Sequence, residues 1–184
     1  MPKGAEDGII KGMYKLLPAK KPVIRLIGSG SILNESIKAK DILTNYGIES
    51  EVWSVTSFNL LRKDGMEVER RNQLNPNKKE LKTYVEECFE DNSIPVIAST
   101  DYMRAYAEQI RPYIKADYTV LGTDGFGRSD SRASLREFFE IDANSIARAA
   151  AYTLFKSNVV DKSKLKQIYD DLEVDPLKPN PWEV

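Results

Sequence analysis

The sequence has no histidine among its 184 residues. Histidine is the commonest general acid and base near neutral pH and the commonest metal ligand. Its absence excludes a Ser-His-Asp triad, a Cys-His pair and any imidazole-based metal site, and argues against a self-contained hydrolase. There is one cysteine, Cys88. That excludes an internal disulfide and a multi-cysteine zinc site, and it suits a reducing cytoplasm. On a helical stretch it reads as a small hydrophobe. No apolar run approaches the ~20 residues of a membrane span, and no signal-peptide pattern opens the chain. Neither sign of charge dominates: 27 basic residues stand against 28 acidic ones, a net −1. Such a balance gives no global field to draw nucleic acid or an anionic membrane.

What is present is ordinary for a globular domain, with 41% apolar and 30% charged residues. The length fits one domain with a proper core and is short for two. "VIRLIGSGS", from Val23, is a β-branched run stopped by glycine and serine, which predicts a buried strand. "SILNESIKAKDILTNYG" follows with Ile32, Leu33, Ile37, Ile42 and Leu43 at helical spacing and Gly47 as the stop. "IESEVWSVT" reads as a strand with partial alternation. The rhythm continues through a helical "KKELKTYVEECFED", a strand "IPVIAST", a helix "DYMRAYAEQIRPYI" with Asp101 as its N-cap, and a strand "DYTVLGTDG". One or two helices follow in "SLREFFEIDANSIARAAAYTLF". Alternating strand and helix predicts a three-layer α/β/α fold around a mainly parallel sheet.

Two segments break the rhythm. "GMYKLLPAKKPVIRLI" holds two strand-like pieces too close for a helical crossover, which predicts a hairpin and one antiparallel strand. "SFNLLRKDGMEVERRNQLNPNKK" is a long charged connection. It reads either as a solvated excursion, partly helical over residues 59–74, or as a surface used by a neighbouring domain. Its mixed charge leaves both open. Residues 1–175 are expected to form the domain, and the proline-rich residues 176–184 an extended tail that Trp182 anchors to the body or to a partner.

Three turns carry the chemistry. "GSGSIL" places Gly28, Ser29, Gly30 and Ser31 between a strand and a helix, where backbone amides favour an anion. A dinucleotide fingerprint wants a third glycine where Leu33 stands, and an acid where Ser54, Val55 and Thr56 stand. The turn therefore reads as a tight packing joint, with a weak anion site at Ser29 and Ser31 left open. "STDY" supplies Thr100 and Asp101 with the same geometry. Both turns, with the loop from Gly122, are expected to meet at the carboxyl edge of the sheet, where ligands of open α/β folds bind.

The third turn lies in "YTVLGTDGFGRSDSR". Its "TDG" invites comparison with the Gly-Asp-Gly motif that holds the magnesium of thiamine diphosphate. Thr123 stands where that motif has its first glycine, and Asn144 falls inside a helical stretch, so the metal reading fails. Asp124 and Gly125 instead shape a turn that aims Phe126 outward. Arg128, Asp130 and Arg132 can pair among themselves, an exposed arrangement worth about 0–1 kcal/mol. An aromatic between Gly125 and Gly127, flanked by arginine, suits an interface anchor.

"MPKGAEDGIIKGMYKL", "LIGSGSIL", "SVTSFNLLRKDG", "VIASTDYMRAYAEQIR" and "VLGTDGFGRSDSRASLREFFEID" together resemble the C-terminal domain of the homodimeric pyruvate dehydrogenase E1 family. The last of these also resembles a looser Phe-Gly-x-Ser element in transketolases. The resemblance implies a transketolase-type C-terminal domain with a five-stranded, mainly parallel sheet and one antiparallel strand. It implies a parent enzyme, acting in the cytoplasm, that decarboxylates pyruvate on thiamine diphosphate with magnesium and reductively acetylates the lipoyl group of dihydrolipoamide acetyltransferase, the E2 partner. Two further domains and a second subunit would supply that site. No residue here matches a family catalytic, cofactor or metal position. The chain thus reads as an excised structural domain, inactive alone. Its rim residues Gly28–Ser31, Thr100, Asp101, Gly122, Thr123, Asp124, Gly125, Phe126, Gly127 and Arg128 would face the other domains. A regulatory small-anion site and a docking role for the E2 partner are the alternatives.

Overall fold

The computed structural model describes residues 2–183; Met1 and Val184 lie outside them. A short helix, α1 (Glu6–Lys11), leads into β1 (Met13–Leu17) and β2 (Ile24–Ser29). The chain continues through α2 (Leu33–Asn45), β3 (Ser50–Val55), α3 (Phe58–Leu74), α4 (Tyr84–Cys88), β4 (Val96–Ser99), α5 (Arg104–Glu108) and β5 (Tyr118–Leu121). Three helices close it: α6 (Arg132–Phe138), α7 (Ala143–Lys156) and α8 (Lys162–Asp171). The five strands form one sheet in the order β1-β3-β2-β4-β5. All neighbours are parallel except β1, which runs antiparallel to β3.

The antiparallel strand is therefore present, but not as a hairpin. β1 pairs with β3 rather than with the β2 that follows it. Residues 18–23 can stretch about 20 Å, ample for stepping across one intervening strand at ~4.8 Å per ladder. β3 takes the inner place because every one of its residues is buried, as is every residue of β2 and β4. Strands covered on both faces read as continuous rather than alternating apolar runs. This is why the expected partial alternation of β3 is not seen.

Helices cover both faces. On one, Ile24, Leu26, Val52 and Ile97 meet α2 and the alanine-rich side of α7, where Ala147, Ala150 and Ala151 allow close approach, with Ile168 of α8 behind them. On the other, Ile27, Trp53, Val96 and Ala98 meet Phe58 and Leu61 of α3, Val85 of α4 and Ala107 of α5. The charged connection after β3 is an ordered helix, α3, whose N-cap Ser57 accepts the Leu60 N–H. The helix expected over "KKELKTYVEECFED" shrinks to α4, set by the Thr83–Glu86 capping box. "DYMRAYAEQIRPYI" likewise divides into α5 and a 3-10 turn, Arg111–Tyr113. Both stretches carry helical periodicity over too few buried positions to sustain a full-length helix.

Candidate functional site at the carboxyl edge of the sheet

The three glycine- and hydroxyl-rich turns do converge. Ser29, closing β2, shares a 2.7 Å hydrogen bond with the Tyr102 hydroxyl beyond β4. Ser31 donates to the Asp101 carboxylate at 3.0 Å and accepts from Arg136 of α6 at 3.1 Å. The Thr123 N–H donates to the Tyr102 carbonyl at 3.0 Å, tying the third turn to the second. Thr100 is fully buried, and its hydroxyl has no hydrogen-bond partner.

Gly28 permits the tightest joint of the three turns. A Cβ there would lie 2.6 Å from the Leu33 Cα and 2.8 Å from the Ser36 Oγ. Gly30 carries the chain over to the first turn of α2, and Asp101 Oδ1 stands 3.8 Å from where its Cβ would be. The expected weak anion site thus has a carboxylate beside it. The backbone geometry favours an anion, the neighbouring charge opposes one, and the serine hydroxyls are already engaged.

Asp101 does not cap α5. The N-cap is Met103, which offers no side-chain cap, and the Arg104 N–H donates instead to Asp124 Oδ1 at 3.1 Å. Asp124 Oδ2 also faces the Arg104 Nε at 3.4 Å. A cap from a distant loop takes the place of the local one because Asp101 has turned toward Ser31. Gly125 adopts φ +96°, a left-handed conformation that suits glycine. The turn that results aims Phe126 into solvent, 90% exposed. Gly127 has open space where a side chain would project. The Arg128 guanidinium lies over the Phe138 ring at 4.7 Å, and Asp130 accepts the Ser131 N–H.

Two polar hubs lie beyond the residues singled out in the sequence. Glu35 is buried, and its carboxylate accepts from Arg136 at 2.9 Å, from Lys38 at 2.9 Å and from the Ala143 N–H at 3.3 Å. It thereby joins α2, α6 and the first turn of α7. At the opposite end of the sheet, Arg25 and Glu51 are paired at 2.7 Å with both side chains almost fully buried. Lys15 and the Trp53 indole also donate to Glu51, at 2.9 and 3.0 Å. Burial alone would raise the Glu51 pKa; the donors Lys15, Trp53 and Arg25 outweigh it and hold the carboxyl below the usual range. A charged residue inside each of two buried strands was the available signal for this pair.

The tail folds back onto the same edge. Lys178 donates to the Glu137 carbonyl at 2.6 Å. The Arg104 guanidinium lies 5.0 Å over the Trp182 ring, and Trp182 backs onto Gly125. The tail, the Asp124 turn and α5 therefore form one packed unit.

The comparisons with known proteins fit this geometry. Residues 12–142 match the family described as Transketolase-like TK C-terminal domain. The chain belongs to that family. Over its whole length this transketolase-like C-terminal domain is 50% identical to the pyruvate dehydrogenase E1 component of Pseudomonas aeruginosa, covering 21% of that protein. It is 46% identical over 98% of its length to the pyruvate dehydrogenase E1 component of Escherichia coli strain K12, again covering 21%. The domain spans about a fifth of the length of the curated relatives it matches. Among solved structures, transketolase from Leishmania mexicana superposes with a TM-score of 0.58 at 18% identity, over 82% of this chain and 19% of that one. Transketolase from Pichia stipitis complexed with sedoheptulose-7-phosphate gives 0.56 at 18% identity, over 85% and 21%. These structures share the fold: a mainly parallel five-stranded sheet with one antiparallel strand, helices on both sides.

The homology implies thiamine diphosphate as a cofactor, which would need a magnesium site and an edge open to an anionic diphosphate. Among the described residues no three Asp, Glu or Cys side chains converge as a magnesium site requires. Asp124 is engaged with Arg104, and Asp101 stands where a diphosphate would meet a like charge. The residues do not fit the cofactor. No helix among the described residues is long and apolar enough to cross a membrane.

Proposed function

We propose that this chain is the C-terminal structural domain of a cytoplasmic pyruvate dehydrogenase E1 component. The complete enzyme decarboxylates pyruvate on thiamine diphosphate with magnesium and passes the acetyl unit to the lipoyl group of dihydrolipoamide acetyltransferase. In that reading, residues 1–175 form the domain and 176–184 its tail, held to the domain through Lys178 and Trp182. Its carboxyl-edge rim packs against the remaining E1 domains and the second subunit. The observation that carries the reading is the 50% identity across the full chain to a relative nearly five times its length.

The rim supports an assembly role. Phe126 is 90% exposed, with Met103, Tyr106 and Trp182 also exposed on the same packed unit. Aromatic anchors of this kind dominate interface energetics. A regulatory anion site remains the second reading, resting on Ser29, Ser31 and Arg136, and Asp101 weakens it. Docking of the E2 partner ranks below both.

The test is direct. The purified chain given pyruvate, thiamine diphosphate and magnesium should release no carbon dioxide; measurable turnover would sink the assignment. In the complete E1 polypeptide, Phe126→Asp should weaken subunit association about tenfold or more by analytical ultracentrifugation.

A further inference from the structure

Helix α3 runs well beyond the part of it that the core holds. Of its 17 residues only Phe58, Leu61 and Gly65 are buried, all in its first half. Its second half is held from the side: the Asn72 amide donates to the Leu81 carbonyl at 3.0 Å and accepts the Leu81 N–H at 2.9 Å. This clamp fixes the irregular strap of residues 75–83 alongside the helix.

At ~100° per residue, Leu60, Lys63, Glu67, Arg71 and Leu74 fall within about 80° of one another, on the side facing away from the core. Leu60 and Leu74 stand ~21 Å apart along that face. Leu60 borders an apolar opening, and a second hollow lies toward the other end of the helix. Near Leu60, a hollow of about 390 Å³ is shared with Ile10 and Tyr84 and edged by Lys11, Lys63 and Lys82. At the far end of α3, a hollow of about 310 Å³ is lined by Leu81, Asn72 and Asn75 and edged by Arg71, Lys78 and Lys79. Ile10 is 73% exposed, Leu74 62% and Leu81 48%. Residues 59–82 carry seven basic and four acidic side chains, while the whole chain is net −1.

We propose that this face binds an acidic amphipathic helix of a partner protein. The partner sets one apolar side chain into each hollow and its carboxylates against the surrounding lysines. The two hollows lie about 17–22 Å apart along the direction of α3, which asks for about three to four turns of helix. Openings toward the two ends of α3, one by Leu60 and one by Arg71, Asn72 and Asn75, match the helix-in-groove mode of recognition. The positive excess selects an acidic partner over a basic one. Glu67, Asp64, Glu80 and Glu87 are interleaved among the lysines, which disfavours the continuous phosphate surface of a membrane or nucleic acid. This face is separate from the Phe126 rim, so the two readings stand or fall independently.

The experiment uses the isotope-labelled chain and an 18-residue helical peptide of leucine and glutamate, with leucines spaced along one stripe to span ~21 Å. Controls replace its leucines by serine or its glutamates by lysine; phosphatidylserine vesicles form a separate arm. The leucine–glutamate peptide should shift the amide resonances of Ile10, Leu60, Leu74 and Leu81 at about tenfold lower concentration than either control. Lys63→Glu with Lys82→Glu, both exposed, should raise its Kd about tenfold. No saturable binding, equal binding of the controls, shifts mapping elsewhere, or tighter binding to vesicles than to the peptide would overturn the proposal.

Discussion

Asp124 holds Arg104 twice: one carboxylate oxygen accepts its backbone N–H at 3.1 Å and the other faces its guanidinium at 3.4 Å. A residue on the loop after β5 thus starts the helix that follows β4. Asp124→Ala should cost about 1–2 kcal/mol in urea denaturation, the range of a lost helix cap. Asp101→Ala, which removes only an exposed contact to Ser31, should stay within about 0.5 kcal/mol. Equal losses would show that the cap is local after all.

Glu35 joins three helices through a single buried carboxylate. Removing it takes the carboxylate from Arg136, whose side chain is only 21% exposed and keeps its bond to Ser31, and leaves the Ala143 N–H without its acceptor. Glu35→Ala should therefore lower stability by about 3 kcal/mol, the usual penalty for breaking a buried pair from one side. Glu35→Gln keeps the acceptor oxygen and should lose less. Denaturant midpoints at neutral pH decide the matter.

Glu51 makes stability depend on acidity in one direction. Its folded pKa lies below the ordinary glutamate value of 4.5 because its three donors outweigh burial. A depressed carboxylate contributes stability that is complete above the unfolded value and is lost as pH falls toward the folded one. The urea midpoint of the chain should hold steady from pH 7 to 5 as far as this group is concerned, then drop below about pH 4.5. Glu51→Gln should start lower at pH 7 and fall less steeply in acid. A parallel decline in both proteins would remove Glu51 as the cause.

Trp182 reports on the tail. It is 49% exposed, against 4% for Trp53, so the two indoles emit from different surroundings. Gly125→Ala introduces a Cβ 3.2 Å from the Trp182 Cα at a residue with φ +96°. That variant should loosen the tail, shift the Trp182 emission to longer wavelength and cost at least about 1 kcal/mol. Trp182→Phe in the same background isolates Trp53, whose emission should not move.

Much of this was written in the residues. Four of the five strands follow from short runs rich in β-branched residues and ended by glycine, serine or threonine, and the antiparallel strand β1 from the short spacing after Leu17. The pairing partner of β1 was not legible, because six extended residues reach past one strand as easily as they turn back to an adjacent one. The convergence of the Ser31, Asp101 and Asp124 turns followed from the parallel topology alone. Which aspartate capped α5 did not, since Asp101 and Asp124 are both suitable acceptors and only tertiary packing separates them. Glu35 resembled any surface glutamate on an amphipathic helix; its burial depends on Arg136, about a hundred positions later.

The carboxyl edge of this sheet also bears on how the domain meets its surroundings. Where strand order reverses around β2, folds of this type commonly keep an open seat for a visitor. Here Ser31 bonds to both Asp101 and Arg136 across it. A vacancy furnished with its own occupants no longer needs a guest to become rigid. The rim thus reaches any neighbour preshaped, and the ordering cost of joining a larger body is already met when the domain folds.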